Sequence, residues 1–376
     1  MKVETIVRLS LLLCLVAAVP ARADEVVIAA QYPLSGPMAS YSGPFLKAGT
    51  EIAIQRINET EMLGKGRTLK VLIEDNASDR NQAISLMSRF ATSDNALAVL
   101  GVYGSTLSLP SAPVANELKI PFLAVAASPA IVQAGPWSYI LIEQPAASMK
   151  IEADFAATQL KAKNAALVFD RANDASVRLK DAFANFFKEH GGTVVSEDGI
   201  SAQDTNFAPI ATKIVSEKID ILYLESVPSV AGNFLVQVKQ AGLDPSIKLI
   251  ASGQVSSPVF RDIAGAAAEG IYYAADYVAD MPSEENKYFV AEYKKRANKE
   301  PDQNAAWAYT GMLLLAHAIH DAGPGATREQ VRDAMAKLKD VDTPLGAGKF
   351  SYDQDRMPLF GLIMLQIQKG VPQLVK

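Results

Sequence analysis

Hydroxyl-bearing residues follow two successive apolar stretches of the chain, in positions that suit the binding of an anion. One apolar stretch ends at Val102 and is followed by Ser105, and a second ends at Val125 and is followed by Ser128. Ligands of open α/β sheets lie beyond the carboxyl ends of the strands, where the following helices offer free N–H groups. We therefore expect Ser105 and Ser128 to form part of an oxyanion pocket. The alternative is that each hydroxyl only caps its helix.

Signals for catalysis are mostly absent. The sequence has no G-x-S-x-G elbow, no G-x-x-x-x-G-K-[ST] phosphate loop, and no G-x-G-x-x-G after a predicted strand. Of the three histidines, His317 and His320 share a helix face, but no acidic motif completes the three or four ligands that zinc needs. Without a well-placed histidine or cysteine, a nucleophile–base pair is not expected. The sequence predicts no enzyme, no cofactor and no metal site.

Short apolar stretches alternate with amphipathic ones, which is typical of parallel sheets covered by helices on both faces. Strands are predicted at Val26–Ala30, Leu69–Ile73 and Leu97–Gly101. The alternation then begins again, with a helix at Ile151–Leu160 and a strand at Ala165–Phe169. The pattern predicts an α/β protein of two Rossmann-like parallel-sheet lobes.

The two halves of the pattern are not separated by a linker rich in Gly, Ser or Pro. We therefore expect the chain to cross between the lobes several times and to form a multi-segment hinge. The predicted crossings are short extended segments near Glu143, Tyr273 and Leu345. The expected lobes comprise residues 24–143 plus 274–345 for lobe 1 and residues 144–273 plus 346–376 for lobe 2.

The first 23 residues predict a cleavable signal peptide. Lys2 and Arg8 give a basic start, residues 9–19 are almost wholly apolar, and residues 21–23 form a small-x-small cleavage signal. The apolar stretch is too short to span a bilayer, which needs about twenty residues. We expect a periplasmic protein whose only cysteine is lost with the signal. The net charge of −5 argues against nucleic acid as a partner.

The remainder of the chain resembles the type I periplasmic binding fold, specifically the leucine/isoleucine/valine-binding family of ABC-importer solute receptors. The resemblance depends on short motifs that are weak alone but match in order and spacing from residue 33 to residue 270. Among them are Pro33-Leu34-Ser35-Gly36-Pro37, Tyr41-Ser42-Gly43, Glu74-Asp75-Asn76, the turn from Gly101 to Ser105, Ile120-Pro121-Phe122, Gln240-Ala241-Gly242-Leu243 and Ala268-Glu269-Gly270.

The resemblance implies a binding site in the first lobe. Ser105 matches the family's carboxylate-binding serine, and Ala126 and Ser128 match the groups that complete the carboxylate and ammonium site. Tyr41 matches an aromatic residue that lines the lobe. We expect Tyr103 to pack beside it on the flat or apolar part of the ligand.

The second lobe departs from the family pattern. Asp174 stands in place of a tyrosine, Val227 in place of an aromatic residue, and Gln254 in place of the glutamate that holds an amino group. Burying an unpaired ammonium is costly, so we expect a carboxylate with an aromatic or apolar body. Asp174, Glu225 or Asp276 could substitute for the missing acid, and a helix cap is the alternative role of Asp174.

The resemblance implies an extracytoplasmic substrate-binding protein that delivers its ligand to the membrane permease of an ABC importer. A branched-chain or other aliphatic amino acid is the alternative ligand. Two other classes stay open at this point: a ligand-sensing module for a membrane receptor, and an exported enzyme.

Overall fold

The first sheet is formed by the amino-terminal part of the chain. The computed structural model describes residues 24–201 and 203–375, and the predicted signal peptide lies outside them. The strands are β1 (Asp24–Tyr32), β2 (Arg67–Asp75), β3 (Val99–Gly101), β4 (Phe122–Ala124) and β5 (Ser138–Ile140). The helices are α1 (Gly43–Glu59), α2 (Arg80–Thr92), α3 (Ser105–Glu117) and α4 (Pro129–Gln133). The five strands are all parallel, in the order β2-β1-β3-β4-β5.

The chain then crosses to a second sheet and repeats the alternation. The helices there are α5 (Pro145–Thr158), α6 (Asp174–Glu189), α7 (Ala208–Ser216), α8 (Pro228–Gln240) and α9 (Pro258–Ala264). The strands are β6 (Asn164–Asp170), β7 (Thr193–Ile200), β8 (Ile221–Glu225), β9 (Lys248–Ala251) and β10 (Tyr272–Ala275). These five strands pair in parallel.

The carboxyl-terminal part returns to the first sheet and crosses once more. The returning segment contains α10 (Glu284–Ala297), α11 (Gln303–Ala322), α12 (Arg328–Met335), β11 (Val341–Asp342), β12 (Lys349–Tyr352) and β13 (Pro358–Leu359). The last strands, β14 (Ile363–Gln368) and β15 (Val371–Leu374), complete the second sheet in the order β15-β14-β10-β9-β8-β6-β7. We call the elements around the two sheets the first and the second lobe, and this architecture confirms the predicted fold class.

The last crossing lies further along the chain than predicted. Phe350, Tyr352 and Phe360 are buried in the same core cluster as Tyr139 of the first lobe. Tyr352 also donates a hydrogen bond to the carbonyl of Ile140 (3.1 Å). The prediction of a crossing near Leu345, with residues 346–376 in the second lobe, is therefore wrong for the segment that carries β12 and β13. The chain leaves the first lobe only after Phe360.

The central strands of each sheet are covered on both faces, as the near-continuous apolar strands predict. Val99 packs in a core layer with helices α2 and α3, whereas its neighbour Leu100 packs in the layer that contains α11. In the second lobe, Leu167 and Val168 likewise belong to two different core clusters. Because both faces are buried, only the ends of the strands remain for binding a ligand.

Helices α1 and α11 approach closely at a glycine. A Cβ atom added to Gly49 would lie 2.1 Å from the carbonyl oxygen of Ala305, far inside contact distance. Gly311 packs against the sheet in a similar way. A Cβ atom added there would lie 2.5 Å from the Cδ1 of Leu100, which is its nearest neighbour. A backbone carbonyl inside a helix has little room to move, whereas a leucine side chain can rotate.

We expect Gly49→Ala to lower the free energy of unfolding by about 1–3 kcal/mol, because α1 and α11 must separate. Gly311→Ala is the matched control. Its smaller clash is partly offset by the better helix propensity of alanine, about 1 kcal/mol. Urea titration of the two variants measures the difference. A Gly49→Ala protein at least as stable as the wild type would contradict this close contact.

Candidate ligand-binding site

The turn after β3 positions the first predicted serine. Gly101 and Gly104 have positive φ angles of 111° and 83°, and the intervening Val102 also has a positive φ, of 53°. Ser108, buried in α3, donates to the carbonyl oxygens of Val102 (2.6 Å) and Gly104 (2.9 Å). These hydrogen bonds hold the turn in place. Ser105 is the first residue of α3, and Gly104 is its N-cap.

Neither predicted hydroxyl is occupied as a helix cap. The N-cap of α3 is Gly104 rather than Ser105, and Ser128 stands at the N-cap of α4 without a side-chain cap hydrogen bond. Both serines are partly buried, and neither hydroxyl has a hydrogen-bond partner among the described residues. The first N–H groups of α3 also lack partners within the helix. The end of β3 therefore offers several unused donors, as an oxyanion pocket requires.

Ala126, the backbone position expected to complete the pocket, lies between β4 and α4. Its side chain is 2 % exposed, and its carbonyl accepts a hydrogen bond from the N–H of Ile142 (3.3 Å). On the preceding turn, the N–H of Gly104 donates to the carbonyl of Val125 (3.0 Å). These bonds join the ends of β3 and β4, so Ser105 and Ser128 follow two strands that are held together.

Three aromatic side chains form a wall beside the serines. The rings of Tyr41 and Tyr103 are 6.4 Å apart, edge to face, and those of Tyr103 and Trp307 are 6.3 Å apart. Burial raises the pKa of Tyr103 to about 12, so its phenol stays neutral. We call Tyr41, Tyr103 and Trp307 the aromatic wall. Trp307 was not predicted, because it comes from α11 and no local sequence signal connects it with Tyr103.

The second lobe presents acidic and hydroxyl residues at the same kind of edge. Asp170 ends β6, Glu225 ends β8, Ser252 follows β9 and Asp276 follows β10. These strands are parallel, so their carboxyl ends share one edge of the sheet. All four residues are less than 9% exposed.

The residues predicted for the second lobe follow the same strands. Asp174 is the exposed first residue of α6, but Asn173 caps that helix by accepting from the N–H groups of Ala175 (2.9 Å) and Ser176 (3.4 Å). The alternative role of Asp174 as the cap is therefore wrong. Val227 is partly buried against the second-lobe core, and Gln254 is exposed in the short helical turn after β9. Their contact with a ligand stays a prediction.

Two glutamates at or near this edge are buried. Ser176 donates to the Oε1 of Glu225 (3.0 Å), and burial raises the pKa of that carboxyl. Glu152 is fully buried, and its Oε1 accepts from the N–H of Ala274 (3.0 Å). Burial raises the pKa of Glu152 well above its usual range. For both groups, burial favours the neutral carboxylic acid.

Carboxylates accept hydrogen bonds at the crossings between the lobes. The Nε1–H of Trp307 donates to the Oδ2 of Asp276 (2.6 Å), which joins a first-lobe helix to the end of a second-lobe strand. At the other crossings, the Oε1 of Glu143 accepts from the N–H groups of Phe360 (2.9 Å) and Gly361 (3.3 Å). The first and the last crossings are thus linked to each other, and the middle crossing is linked to the aromatic wall.

Metal chemistry and membrane insertion receive no support from the described residues. Within the described ranges, no group of three or more His, Cys, Asp or Glu side chains is placed to hold a metal ion. Nor is any described helix long and apolar enough to cross a membrane. His317 is partly buried in α11, and burial lowers its pKa, whereas His320 is exposed.

Comparison with known proteins identifies the family. The model of the periplasmic binding protein family matches residues 25–371, so the chain belongs to that family. A Leu/Ile/Val-binding protein homolog from Brucella melitensis is 25% identical over 352 residues, which cover 92% of this chain and 91% of the relative. The predicted membership of the type I, leucine/isoleucine/valine-binding group is confirmed.

Solved structures show the same fold. An ABC transporter substrate-binding protein from Sphaerobacter thermophilus superposes with a TM-score of 0.79 at 22% identity, over 94% of this chain and 97% of the other. A solute-binding protein of an ABC transporter from Rhodopseudomonas palustris, solved with 3,4-dihydroxybenzoic acid, gives a TM-score of 0.73 at 25% identity. That match covers 94% of this chain and 96% of the other.

The buried carboxyl of Asp276 makes stability depend on pH. Burial, with a smaller effect of the nearby Glu143, raises the pKa of Asp276 to about 6, while the bond from Trp307 opposes this rise. Tyr103 is the other titratable group close by, and it is neutral in this range. Because the folded state holds this proton more tightly than the unfolded chain, the contribution of Asp276 to stability is largest at acid pH and is lost as the pH rises through about 6.

We expect Asp276→Asn to raise the free energy of unfolding above pH 7 by about 1–3 kcal/mol, from a pKa rise of roughly two units. Asparagine still offers an oxygen to Trp307, so that hydrogen bond is kept. The gain should vanish near pH 4, where the wild-type carboxyl is protonated. Thermal melts of both proteins from pH 4 to 8 measure the effect, and a gain that does not depend on pH would contradict it.

Proposed function

We propose that this protein captures a small carboxylate in the cleft between its lobes and delivers it to the membrane permease of an ABC importer. The observation that carries the proposal is the set of unused donors on Ser105, Ser128 and the first turn of α3, at the carboxyl-end edge of the first sheet. Family membership and the solved relatives support the transport role.

The donors suit a carboxylate because they are neutral and fixed. N–H and hydroxyl groups that point at an anion form charge-assisted hydrogen bonds, which are about twice as strong as neutral ones. Ser108 holds the β3–α3 turn in place before any ligand arrives. Little reorganisation is then needed on binding.

The aromatic wall supports a ligand with an aromatic or apolar body. Tyr41 is 52% exposed, so it is free to contact a ligand. The Rhodopseudomonas palustris relative with 3,4-dihydroxybenzoic acid favours an aromatic acid. The Brucella melitensis relative favours a branched-chain amino acid as the second candidate. Both candidates share a carboxylate and a body that would pack on aromatic rings.

Capture takes place by hinge closure. A ligand held by the first lobe makes extra contacts with the second lobe only in the closed state, so it shifts the population toward closure. The lobes rotate about the crossings at Glu143, Asp276 and Gly361. The hydrogen bonds at these crossings hold the lobes together during the rotation. Closure also joins the two lobe faces into one surface that a permease recognises. The site of action is the periplasm, and no chemical step on the ligand is required.

Ser105→Ala tests the carboxylate site. Removing a donor to a buried carboxylate should weaken binding by about 1.5–3 kcal/mol, whereas stability should change little, because the Ser105 hydroxyl makes no cap hydrogen bond in α3. Ser111→Ala is the matched control, because Ser111 is buried in the same helix and donates only to the carbonyl of Leu107 (3.0 Å). Isothermal titration with a panel of aromatic and aliphatic acids and amino acids gives the affinities. Equal affinity in Ser105→Ala and wild type would remove Ser105 from the site.

X-ray scattering in solution tests hinge closure. We expect the radius of gyration to decrease when a saturating carboxylate ligand is added, because the cleft shuts around it. Ser105→Ala should show the same decrease, but only at a higher ligand concentration. A radius that stays constant while calorimetry shows a saturated site would rule out closure as the mechanism.

A further inference from the structure

The position of the Tyr41 ring depends on its backbone. The ring is 52% exposed and meets the ring of Tyr103 edge to face at 6.4 Å. Tyr41 stands near the end of the loop that joins β1 to α1, in a single 3-10 turn, Ala39–Tyr41, that has no buried residue. We call residues 33–42 the Tyr41 loop. Because core packing does not hold such an exposed ring, the placement of this loop decides whether the ring stands in the aromatic wall.

The carboxylate of Asp75, the last residue of β2, holds the start of the Tyr41 loop. Its Oδ1 accepts from the N–H groups of Leu34 (2.9 Å) and Ser35 (3.1 Å), and its Oδ2 accepts from the hydroxyl of Ser35 (2.6 Å). Oδ1 also accepts from the N–H of Ala77 (2.8 Å) in its own loop. Burial alone would raise the pKa of Asp75, but these hydrogen bonds lower it below its ordinary value. The acceptor is therefore a charged carboxylate, whose hydrogen bonds are about twice as strong as neutral ones.

Ser78 and Gly36 complete the contact between the two loops. The hydroxyl of Ser78 donates to the carbonyl of Ser35 (2.9 Å) and accepts from the N–H of Met38 (3.1 Å). Gly36 has a positive φ of 80°, and a Cβ atom added to it would lie 2.3 Å from the carbonyl oxygen of Ala77. The Tyr41 loop and the loop after β2 are therefore in direct backbone contact.

The far end of the Tyr41 loop is held by α11. Asn304 is buried in that helix, and its Nδ2 donates to the carbonyl of Tyr41 (3.1 Å). The same helix carries Trp307, another member of the aromatic wall. Asp75 accepts three hydrogen bonds from the loop, whereas Asn304 donates one. The carboxylate is thus the stronger of the two attachments.

We infer that Asp75 is a positioning residue, which holds the Tyr41 loop so that the Tyr41 ring is in place before a ligand arrives. The inference deepens the proposed function and rests on it, because it requires Tyr41 to pack on the body of the ligand. Without Asp75, binding would have to order the loop, and that ordering costs affinity. Asp75 acts through Tyr41 and needs no contact with the ligand itself.

Amide hydrogen exchange on the ligand-free protein tests the attachment of the loop. Asp75→Ala should make residues 33–42 exchange faster. Asp79→Ala is the matched control, because Asp79 lies four residues further along and its carboxylate accepts from the N–H of Gln82 (2.8 Å) as the N-cap of α2. The control removes a carboxylate that accepts a backbone N–H, but not one that holds the Tyr41 loop, so exchange over residues 33–42 should stay as in the wild type.

Isothermal titration then tests the effect on binding, with 3,4-dihydroxybenzoate and leucine as the probes. Asp75→Ala should weaken the binding of the better probe about three- to tenfold, and Asp79→Ala should leave it unchanged. In a Tyr41→Ala background, Asp75→Ala should cause no further loss, since the ring that it positions is gone. A merely structural role of Asp75 would give the same loss in both backgrounds.

Two milder variants cover the case in which Asp75→Ala does not fold. Asp75→Asn keeps an oxygen for the N–H groups of the loop and should restore most of the affinity. Ser35→Ala removes only the 2.6 Å hydrogen bond to Oδ2 and should give the same changes as Asp75→Ala, but smaller ones. Thermal melts show which variants are folded.

Each contrary result has a separate meaning. Unchanged exchange in Asp75→Ala, or faster exchange without weaker binding, would overturn the positioning role. A loss that persists in the Tyr41→Ala background would also overturn it, because Asp75 would then act by another route. Wild-type affinity in Tyr41→Ala would remove Tyr41 from the site and this role with it, while Ser105→Ala still tests the carboxylate site. Saturable binding of neither probe by the wild type would reject the proposed ligand class together with the inference.

Discussion

Burial of both faces of each parallel sheet is the constraint on which the rest of the structure depends. The central strands are apolar on both sides, as Val99 and Leu100 show by packing in opposite core layers. Helices must therefore cover the faces of these central strands, and the strand ends are left for polar groups. Because all strands of the first sheet run in one direction, their carboxyl ends share one edge. The proposed binding site lies at this edge.

One crossing between the lobes adjoins the proposed site. Asp276 follows a second-lobe strand and accepts a hydrogen bond from Trp307, whose ring belongs to the first-lobe wall. In the proposed function, a ligand that packs on this wall would contact a ring that is bonded to the crossing. One hydrogen bond and one ring contact would then couple binding to closure.

The sequence predicted the fold well because the fold follows from local patterns. The apolar stretches identified the strands. Ser105 and Ser128 were selected because each comes shortly after the end of a predicted strand. The last crossing was placed too early, because Phe350 and Phe360 are apolar residues whose partner core no local pattern reveals. Trp307 was missed for the same reason. Asn173, and not Asp174, caps α6. Asn and Asp are equally good caps, so the sequence pattern does not show which of two neighbouring residues takes that position.

The acids of the second lobe differ in how strongly burial affects their ionisation. Glu152 is fully buried, burial raises the pKa of its carboxyl and favours the neutral form, and its Oε1 accepts a hydrogen bond from the N–H of Ala274. Asp276 is nearly as buried, but its pKa of about 6 leaves it ionised at neutral pH. A folded protein retains a buried charge of this kind at a cost in stability.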